Sequence, residues 1–178
     1  AVAATIRNNG SCTMPVELPG QIRRVIPAVQ NSPGTSRWAV DISPDALDVA
    51  RRNAGRHDVA DRISFLQHDL AGPFEGRFDL VVSNPPYIAE DDPHLTALHH
   101  EPTQALVSGA DGLRDLHTLA HQAPAHLKEA GWLLLEHGHT QAPAVCERLR
   151  HLGFQGVQSR LDLAGIARCS GGQRPKMK

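Results

Sequence analysis

Residues 78–87 read Phe-Asp-Leu-Val-Val-Ser-Asn-Pro-Pro-Tyr. The first six residues form an apolar run rich in Val and Leu, and the polar residue and two prolines that follow end a strand abruptly. We therefore predict a buried strand over residues 78–83, with the segment 84–87 at its carboxyl end. Open α/β sheets bind their ligands at that edge. The stretch thus predicts both the class of fold and the place of the site.

The chemistry of residues 84–87 suits a planar amide or amino group. Asn84 offers a side-chain carbonyl that accepts one N–H and an NH2 that donates. Pro85 and Pro86 stiffen the backbone, and a carbonyl in that segment can accept a second N–H. Tyr87 supplies a flat face for stacking and a hydroxyl group. A proline-rich turn without function is the alternative interpretation of such a motif on its own.

The rest of the chain alternates predicted strands with predicted helices. Ser43 is a suitable N-cap, Pro44 fits the first helical position, and Gly55 ends that helix. A second helix is predicted over residues 113–130, with a kink at Pro124 and an end at Gly131. A third helix is predicted over residues 141–152, and the remaining strands over residues 37–41, 63–66, 132–136, 154–159 and 166–170. This alternation predicts an α/β fold with a doubly wound, mostly parallel sheet.

Several segments in this order resemble the HemK/PrmC family of release-factor glutamine N5-methyltransferases. They include Ala39 to Ala46, Ile63 to Asp69, the NPPY strand, Leu133 to Gly138 and Asp162 to Ile166. The resemblance implies a Rossmann-like methyltransferase fold that uses S-adenosyl-L-methionine. It also implies N5-methylation of a glutamine side chain, with the GGQ-containing loop of a peptide-chain release factor as partner.

The resemblance also implies which residues bind the cofactor. Asp41 would accept hydrogen bonds from the ribose hydroxyls, and Asp69 would accept from the adenine amino group. Asn84 would border the cofactor as well as the acceptor. For Asp41 the alternative is a plain acid at a helix start, although Ser43 already serves as the cap. For Asp69 the alternative is a solvated turn.

On the acceptor side, the resemblance assigns catalysis to Asn84, Pro85 and Tyr87, which would hold the glutamine amide. Pro86 would shape the turn and complete the substrate-binding segment. Glu101 would lie on a substrate-facing loop, with a simple solvated acid as the alternative. Orientation of the amide nitrogen, rather than a strong base, would carry the reaction.

Residues 1–36 depart from the family pattern. No strand and Asp-x-Gly-x-Gly-x-Gly turn precedes Asp41, because Gly10, Gly20 and Gly34 are isolated. We therefore expect an atypical or truncated amino-terminal segment over residues 1–36, a methyltransferase catalytic domain over residues 37–178, and weak cofactor binding. An open apolar sheet edge and self-association would follow. An inactive remnant of the fold is the corresponding alternative.

Composition limits the other function classes. The 18 Lys and Arg residues against 19 Asp and Glu residues give a net charge of −1, which provides no strong drive toward nucleic acid. This argues against a nucleic-acid amino-methyltransferase, the other class that uses an NPPY motif. Cys12, Cys146 and Cys169 lack metal-ligand spacing, so we expect reduced thiols in a cytoplasmic protein and no metal site. No apolar stretch is long enough to predict a membrane span.

Overall fold

The computed structural model describes residues 3–8, 35–69, 76–98 and 102–176, and within them the side chains from residue 37 onward. The strands are β1 (Ala3–Asn8), β2 (Thr35–Asp41), β3 (Ile63–Gln67), β4 (Phe78–Ser83), β5 (Leu127–Glu136), β6 (Gln155–Leu161) and β7 (Ala167–Gln173). The α-helices are α1 (Pro44–Arg56), α2 (Arg114–His126) and α3 (Ala142–His151), and short 3₁₀ turns span Ala60–Arg62, Pro93–Leu98 and Thr103–Ala105. In this part of the chain, no helix is both long and apolar enough to cross a membrane.

The strands form one seven-stranded sheet in the order β3-β2-β1-β4-β5-β7-β6. Strands β2 and β3 pair in parallel, as do β4 and β5. Strand β1 is antiparallel to both β2 and β4, and β7 is antiparallel to both β5 and β6. Only β1 and β7 of the described strands therefore run against the common direction. The prediction of an α/β fold is confirmed, and the sheet is mixed, since two of the six pairings between the described strands are parallel and four are antiparallel.

Strand β1 was not predicted from the sequence. It pairs with β2 on one side and with β4 on the other, so the expectation of an open sheet edge beside β2 is wrong. Self-association stays a prediction, but the open edge no longer supports it. Because β1 is antiparallel to its neighbours, its amino end lies beside the carboxyl ends of β2 and β4. The chain therefore leaves β1 at the opposite edge of the sheet. The three isolated glycines considered above fall in residues 9–34, outside the described residues.

The two faces of the sheet are packed by different helices. On one face the sheet and helices α2 and α3 share an apolar core formed by Phe78, Val81, Leu116, Ala120, Ala123, Leu127, Leu133, Leu135, Val145, Leu149 and Phe154. On the other face Leu80, Val82 and Leu134 form a smaller cluster. The guanidinium of Arg51 in α1 lies 5.4 Å from the ring centre of Phe65, which register places on the face of Val82. Helices thus cover both faces, as a doubly wound sheet requires.

Helix α1 begins as the sequence predicts. The Ser43 hydroxyl accepts a hydrogen bond from the backbone N–H of Ala46 at 3.2 Å, and Pro44 occupies the first helical position. This cap satisfies one of the backbone donors that a helix start leaves unpaired. Asp41, which ends β2, is held immediately before the cap. The local sequence therefore determines where β2 ends and α1 begins.

The boundary between α2 and β5 differs from the prediction. Helix α2 ends at His126 rather than residue 130, and β5 begins at Leu127, opposite Phe78. Leu127 is fully buried, and Ala130 takes a left-handed φ of 60° inside a register shift of the strand. Burial of Leu127 beside Phe78 outweighs the helical spacing of the preceding apolar residues. The predicted helix was therefore too long at its carboxyl end.

Candidate functional site

The carboxyl ends of β2 and β4 meet at one level of the sheet. Ala3 of β1 is paired with Val40 on one side and with Ser83 on the other. Asp41 and Asn84 are the next residues after these two partners, and so they lie at the same edge with one strand between them. Neighbouring strands are about 4.8 Å apart, which separates the two backbones by roughly 10 Å. The sheet therefore brings Asp41, which is predicted to bind the cofactor, and Asn84, which is predicted to bind the acceptor, to one edge.

The segment after β4 presents its residues unequally to solvent. Asn84 is exposed, Pro85 is buried, and Pro86 and Tyr87 are half-buried. Within the described part of the chain, the Asn84 side chain makes no hydrogen bond. Its amide is consequently available to a ligand, while the prolines anchor the backbone beneath it. Asn84 is therefore the exposed member of the predicted acceptor segment.

Backbone hydrogen bonds fix the residue that follows the turn. The N–H of Ile88 donates to the Leu106 carbonyl at 2.9 Å, and the Ile88 carbonyl accepts from the N–H of Ser108 at 2.9 Å. The buried Ser108 hydroxyl in turn accepts from the backbone N–H of Asp115 in α2 at 2.8 Å. The segment from Leu106 to Ser108 and the start of α2 are therefore tied to the residue that follows Tyr87. Glu101 lies outside the described residues.

Arg168, at the start of β7, contacts the Tyr87 ring. Its guanidinium carbon lies 5.7 Å from the ring centre, and Nη2 donates to the Tyr87 hydroxyl at 3.5 Å, the long limit for a hydrogen bond. The sequence did not identify Arg168, because it lies 81 residues from Tyr87 and carries no motif of its own. The antiparallel return of β7 beside β5 brings it to the carboxyl edge.

The part of the edge predicted to bind the cofactor carries a buried acid and an exposed one. Asp41 is 3% exposed, and its Oδ1 accepts a hydrogen bond from the Ser43 N–H at 2.8 Å. Asp69 follows β3 and is exposed. Ile42, directly after Asp41, is 67% exposed. Two carboxylates beside an apolar surface fit the hydroxyl, amino and flat-ring groups of a nucleoside.

His137 follows β5 and is fully buried. Its Nδ1 lies 2.9 Å from the Gly138 carbonyl, which can only accept, so Nδ1 carries the proton. Nε2 then accepts from the Ser170 hydroxyl at 2.7 Å, and Ser170 accepts from Ser159 at 2.7 Å. Burial lowers the pKa of His137 and Arg168 lowers it further, against an opposing effect of the Gly138 hydrogen bond. The imidazole is therefore a neutral structural group.

The lowered pKa of His137 predicts a loss of stability in acid. Below the unfolded pKa of about 6.5 the unfolded chain binds a proton that the folded chain does not, so the free energy of unfolding falls as pH falls. One such group contributes at most about 1.4 kcal/mol per pH unit. Urea unfolding between pH 7 and pH 5 should show a steeper fall for the unaltered chain than for His137→Gln. The exposed His151→Gln is the matched control, and equal slopes in all three proteins would contradict the assignment.

Comparison with known proteins identifies the family. A family profile described as a methyltransferase small domain matches residues 25–111. The release factor glutamine methyltransferase of Yersinia pestis is 45% identical over 137 residues, which are 76% of this chain and 49% of that protein. The release factor glutamine methyltransferase of Xylella fastidiosa is 47% identical over 140 residues, 77% of this chain and 50% of that protein. The chain belongs to the release factor glutamine methyltransferase family.

A solved structure shows the same fold. The crystal structure of a methyltransferase from Pyrococcus furiosus matches with a TM-score of 0.56 at 18% identity, over 78% of this chain and 62% of that chain. The fold of this family member is therefore the Rossmann-like methyltransferase fold that the sequence predicts. The chain spans about half the length of the curated relatives it matches. Within the described residues, no group of three or more His, Cys, Asp or Glu side chains is arranged to hold a metal ion.

Proposed function

We propose that this chain transfers a methyl group from S-adenosyl-L-methionine to the side-chain amide nitrogen of a glutamine in a peptide-chain release factor. The observation that supports it most strongly is the exposed Asn84 amide at the same level of the sheet edge as the buried Asp41 carboxylate. The names of the relatives support the choice of glutamine as acceptor and of a release factor as partner. The GGQ-containing loop is the segment of that partner that we expect to enter the site.

The cofactor residues are assigned by chemistry and place. Asp41 would accept hydrogen bonds from ribose hydroxyls, and Asp69 would accept from the adenine amino group. Exposed Ile42 would contact the flat face of the base. When bound, the cofactor supplies an electrophilic methyl group on a sulfonium. Asn84 would lie between cofactor and acceptor, because its position is one strand away from Asp41.

The acceptor residues would hold the amide nitrogen in line. The Asn84 carbonyl and a backbone carbonyl of the Pro85–Pro86 turn would accept its two N–H groups, and Tyr87 would stack on its plane. An amide nitrogen is a poor nucleophile, so alignment has to supply much of the rate, and alignment can be worth several kcal/mol. The same carbonyl dipoles would stabilise the positive charge that develops on nitrogen. Glu101 would contact the substrate from its loop, Pro86 would shape the turn, and proton loss to water requires no general base.

Residues 37–178 would carry the catalytic groups, on a sheet that β1 completes, and the chain would act in the cytoplasm, where release factors are used. The decisive experiment incubates the full chain with methyl-labelled S-adenosyl-L-methionine and a purified release factor. Label on the glutamine of the GGQ tripeptide, located by peptide mass spectrometry, is the expected result. The matched control substrate is the same release factor with that glutamine changed to glutamate. A parallel reaction contains duplex DNA, and label on the DNA instead of the release factor would contradict the proposal.

Asp41→Ala is expected to weaken binding of S-adenosyl-L-methionine by about 1–3 kcal/mol, the range for a lost charged hydrogen bond. That corresponds to roughly a fivefold to hundredfold rise in Kd, measured by calorimetric titration. Asp45→Ala, an exposed acid on the first turn of α1, is the matched control and should leave Kd within about twofold. Unchanged affinity in Asp41→Ala would remove the ribose assignment.

A further inference from the structure

Gln141 lies between the end of β5 and the start of α3, and its side-chain amide connects three parts of the site. Oε1 accepts a hydrogen bond from the backbone N–H of Gly138 at 2.8 Å. Nε2 donates to the Tyr87 carbonyl at 2.9 Å and to the Asp111 carbonyl at 3.3 Å. One side chain therefore links the end of β5, the acceptor segment and the turn before α2.

The partners determine the orientation of this amide. The backbone N–H of Gly138 can only donate, and the carbonyls of Tyr87 and Asp111 can only accept. Reversing the oxygen and nitrogen of Gln141 would place like groups against each other at all three contacts. The Gln141 side chain is half-buried, so water cannot replace these partners from every side. The amide is consequently held in one orientation.

A glycine makes the approach of these groups possible. Gly112 has a φ of +73°, a conformation that other residues rarely adopt. A Cβ at Gly112 would overlap the Tyr87 carbonyl oxygen and would lie 2.8 Å from Nε2 of Gln141. Because Gly112 has no side chain, its backbone packs directly against the hydrogen bond from Gln141 to the Tyr87 carbonyl.

We infer that Gln141 is a positioning residue for methyl transfer, acting through the carbonyl of Tyr87. Its hydrogen bond fixes the carbonyl of the peptide unit between Tyr87 and Ile88, while the hydrogen bond from the Ile88 N–H to the Leu106 carbonyl fixes the other side of that unit. The Asn84 side chain stands three residues before this peptide unit. Gln141 thereby sets the angle at which Asn84 meets the acceptor nitrogen. This inference rests on the proposed function for its kinetic consequence, but the contact itself can be tested without activity.

The kinetic test uses Gln141→Glu, which keeps the length and the acceptor oxygen but removes the donor to Tyr87. We expect kcat for methyl transfer to fall roughly tenfold to a hundredfold, as misalignment near a reacting centre does. The Kd for S-adenosyl-L-methionine should stay within about twofold, because Gln141 is not placed on the cofactor side. Gln155→Glu, an exposed change of the same charge on β6, is the matched control and should leave kcat unchanged.

The contact is tested directly by nuclear magnetic resonance. Tyr87 is the single tyrosine of the chain, so carbonyl-¹³C tyrosine and ¹⁵N isoleucine together label one peptide bond, that between Tyr87 and Ile88. A hydrogen bond deshields the carbonyl carbon, and we expect its resonance to move upfield in Gln141→Glu. Gln141→Met, which removes donor and acceptor but keeps the length, should move it in the same direction. Gln155→Glu should leave it in place.

The two measurements separate the possible failures. An unmoved Tyr87 carbonyl resonance in both Gln141 variants overturns the inference, whatever the activity. A moved resonance with unchanged kcat shows that the contact does not position the acceptor and overturns it as well. If the unaltered chain transfers no methyl group to a release factor under any condition, the proposed function is wrong, and the resonance still decides whether Gln141 holds Tyr87.

Discussion

Asn84→Ala is expected to abolish methyl transfer, with kcat falling by roughly a hundredfold or more, while Kd for S-adenosyl-L-methionine changes by less than about threefold. The amide that would accept from the glutamine nitrogen is lost, whereas the carboxylates assigned to the nucleoside are untouched. Asn84 is exposed, so the free energy of unfolding should change by about 0.5 kcal/mol at most. Single-turnover label transfer and calorimetric titration measure the two effects separately.

Asn53→Ala is the matched control, since Asn53 is also exposed but lies on α1, away from the sheet edge. It should transfer the methyl group at the rate of the unaltered chain. Asn84→Asp adds a sharper comparison, because it keeps a side-chain carbonyl oxygen and loses the NH2. Equal losses of methyl transfer and cofactor affinity in Asn84→Ala would remove Asn84 from the acceptor role.

Replacing residues 1–36 with a strand parallel to β2 and an Asp-x-Gly-x-Gly-x-Gly turn is expected to strengthen binding of S-adenosyl-L-methionine by roughly a hundredfold. In such folds a glycine turn lets backbone N–H groups approach the ligand at the carboxyl edge. In this chain β1 runs the other way and its carboxyl end lies at the far edge. Two recovered hydrogen bonds of about 1.5 kcal/mol each would account for the gain.

The control for this replacement is the same segment with its three turn glycines changed to valine. The strand would still form, but the backbone could no longer approach the cofactor, and so the gain in affinity should disappear. Calorimetric titration of the three proteins decides the point, and light scattering reports their association state. Tight cofactor binding by the unaltered chain, equal to that of the replaced one, would show this prediction to be wrong.

The parts of the fold that the sequence predicts are those set by interactions between neighbouring residues. Ser43 caps α1 through its own hydroxyl, and the prolines after Ser83 end β4 where they stand. Both features depend on neighbouring residues, which a sequence displays directly. The class of fold followed from the alternation of such elements, and the exposed position of Asn84 at the sheet edge followed from its place at a strand end.

The features that were not predicted depend on distant residues. The direction of β1 was not predictable because side-chain alternation in a strand is the same in both directions. The early end of α2 depends on the packing of Leu127 against Phe78. Gln141 gave no signal either, since it belongs to no motif and its partner Tyr87 is 54 residues away. Contacts of this kind become visible only when the sheet has been assembled.

The place of β1 has a consequence for the precision of the site. The block of β2 and β3 carries Asp41 and Asp69, the block of β4, β5, β7 and β6 carries Asn84, and β1 joins the two as the strand between them. In the proposed function, the distance between the methyl donor and the acceptor amide would thus be set by the hydrogen bonds on the two sides of one six-residue strand. Opening of that strand would leave each block folded but misalign the reacting atoms. Catalytic competence would then follow the local stability of β1, which amide hydrogen exchange can measure, rather than the global stability of the domain.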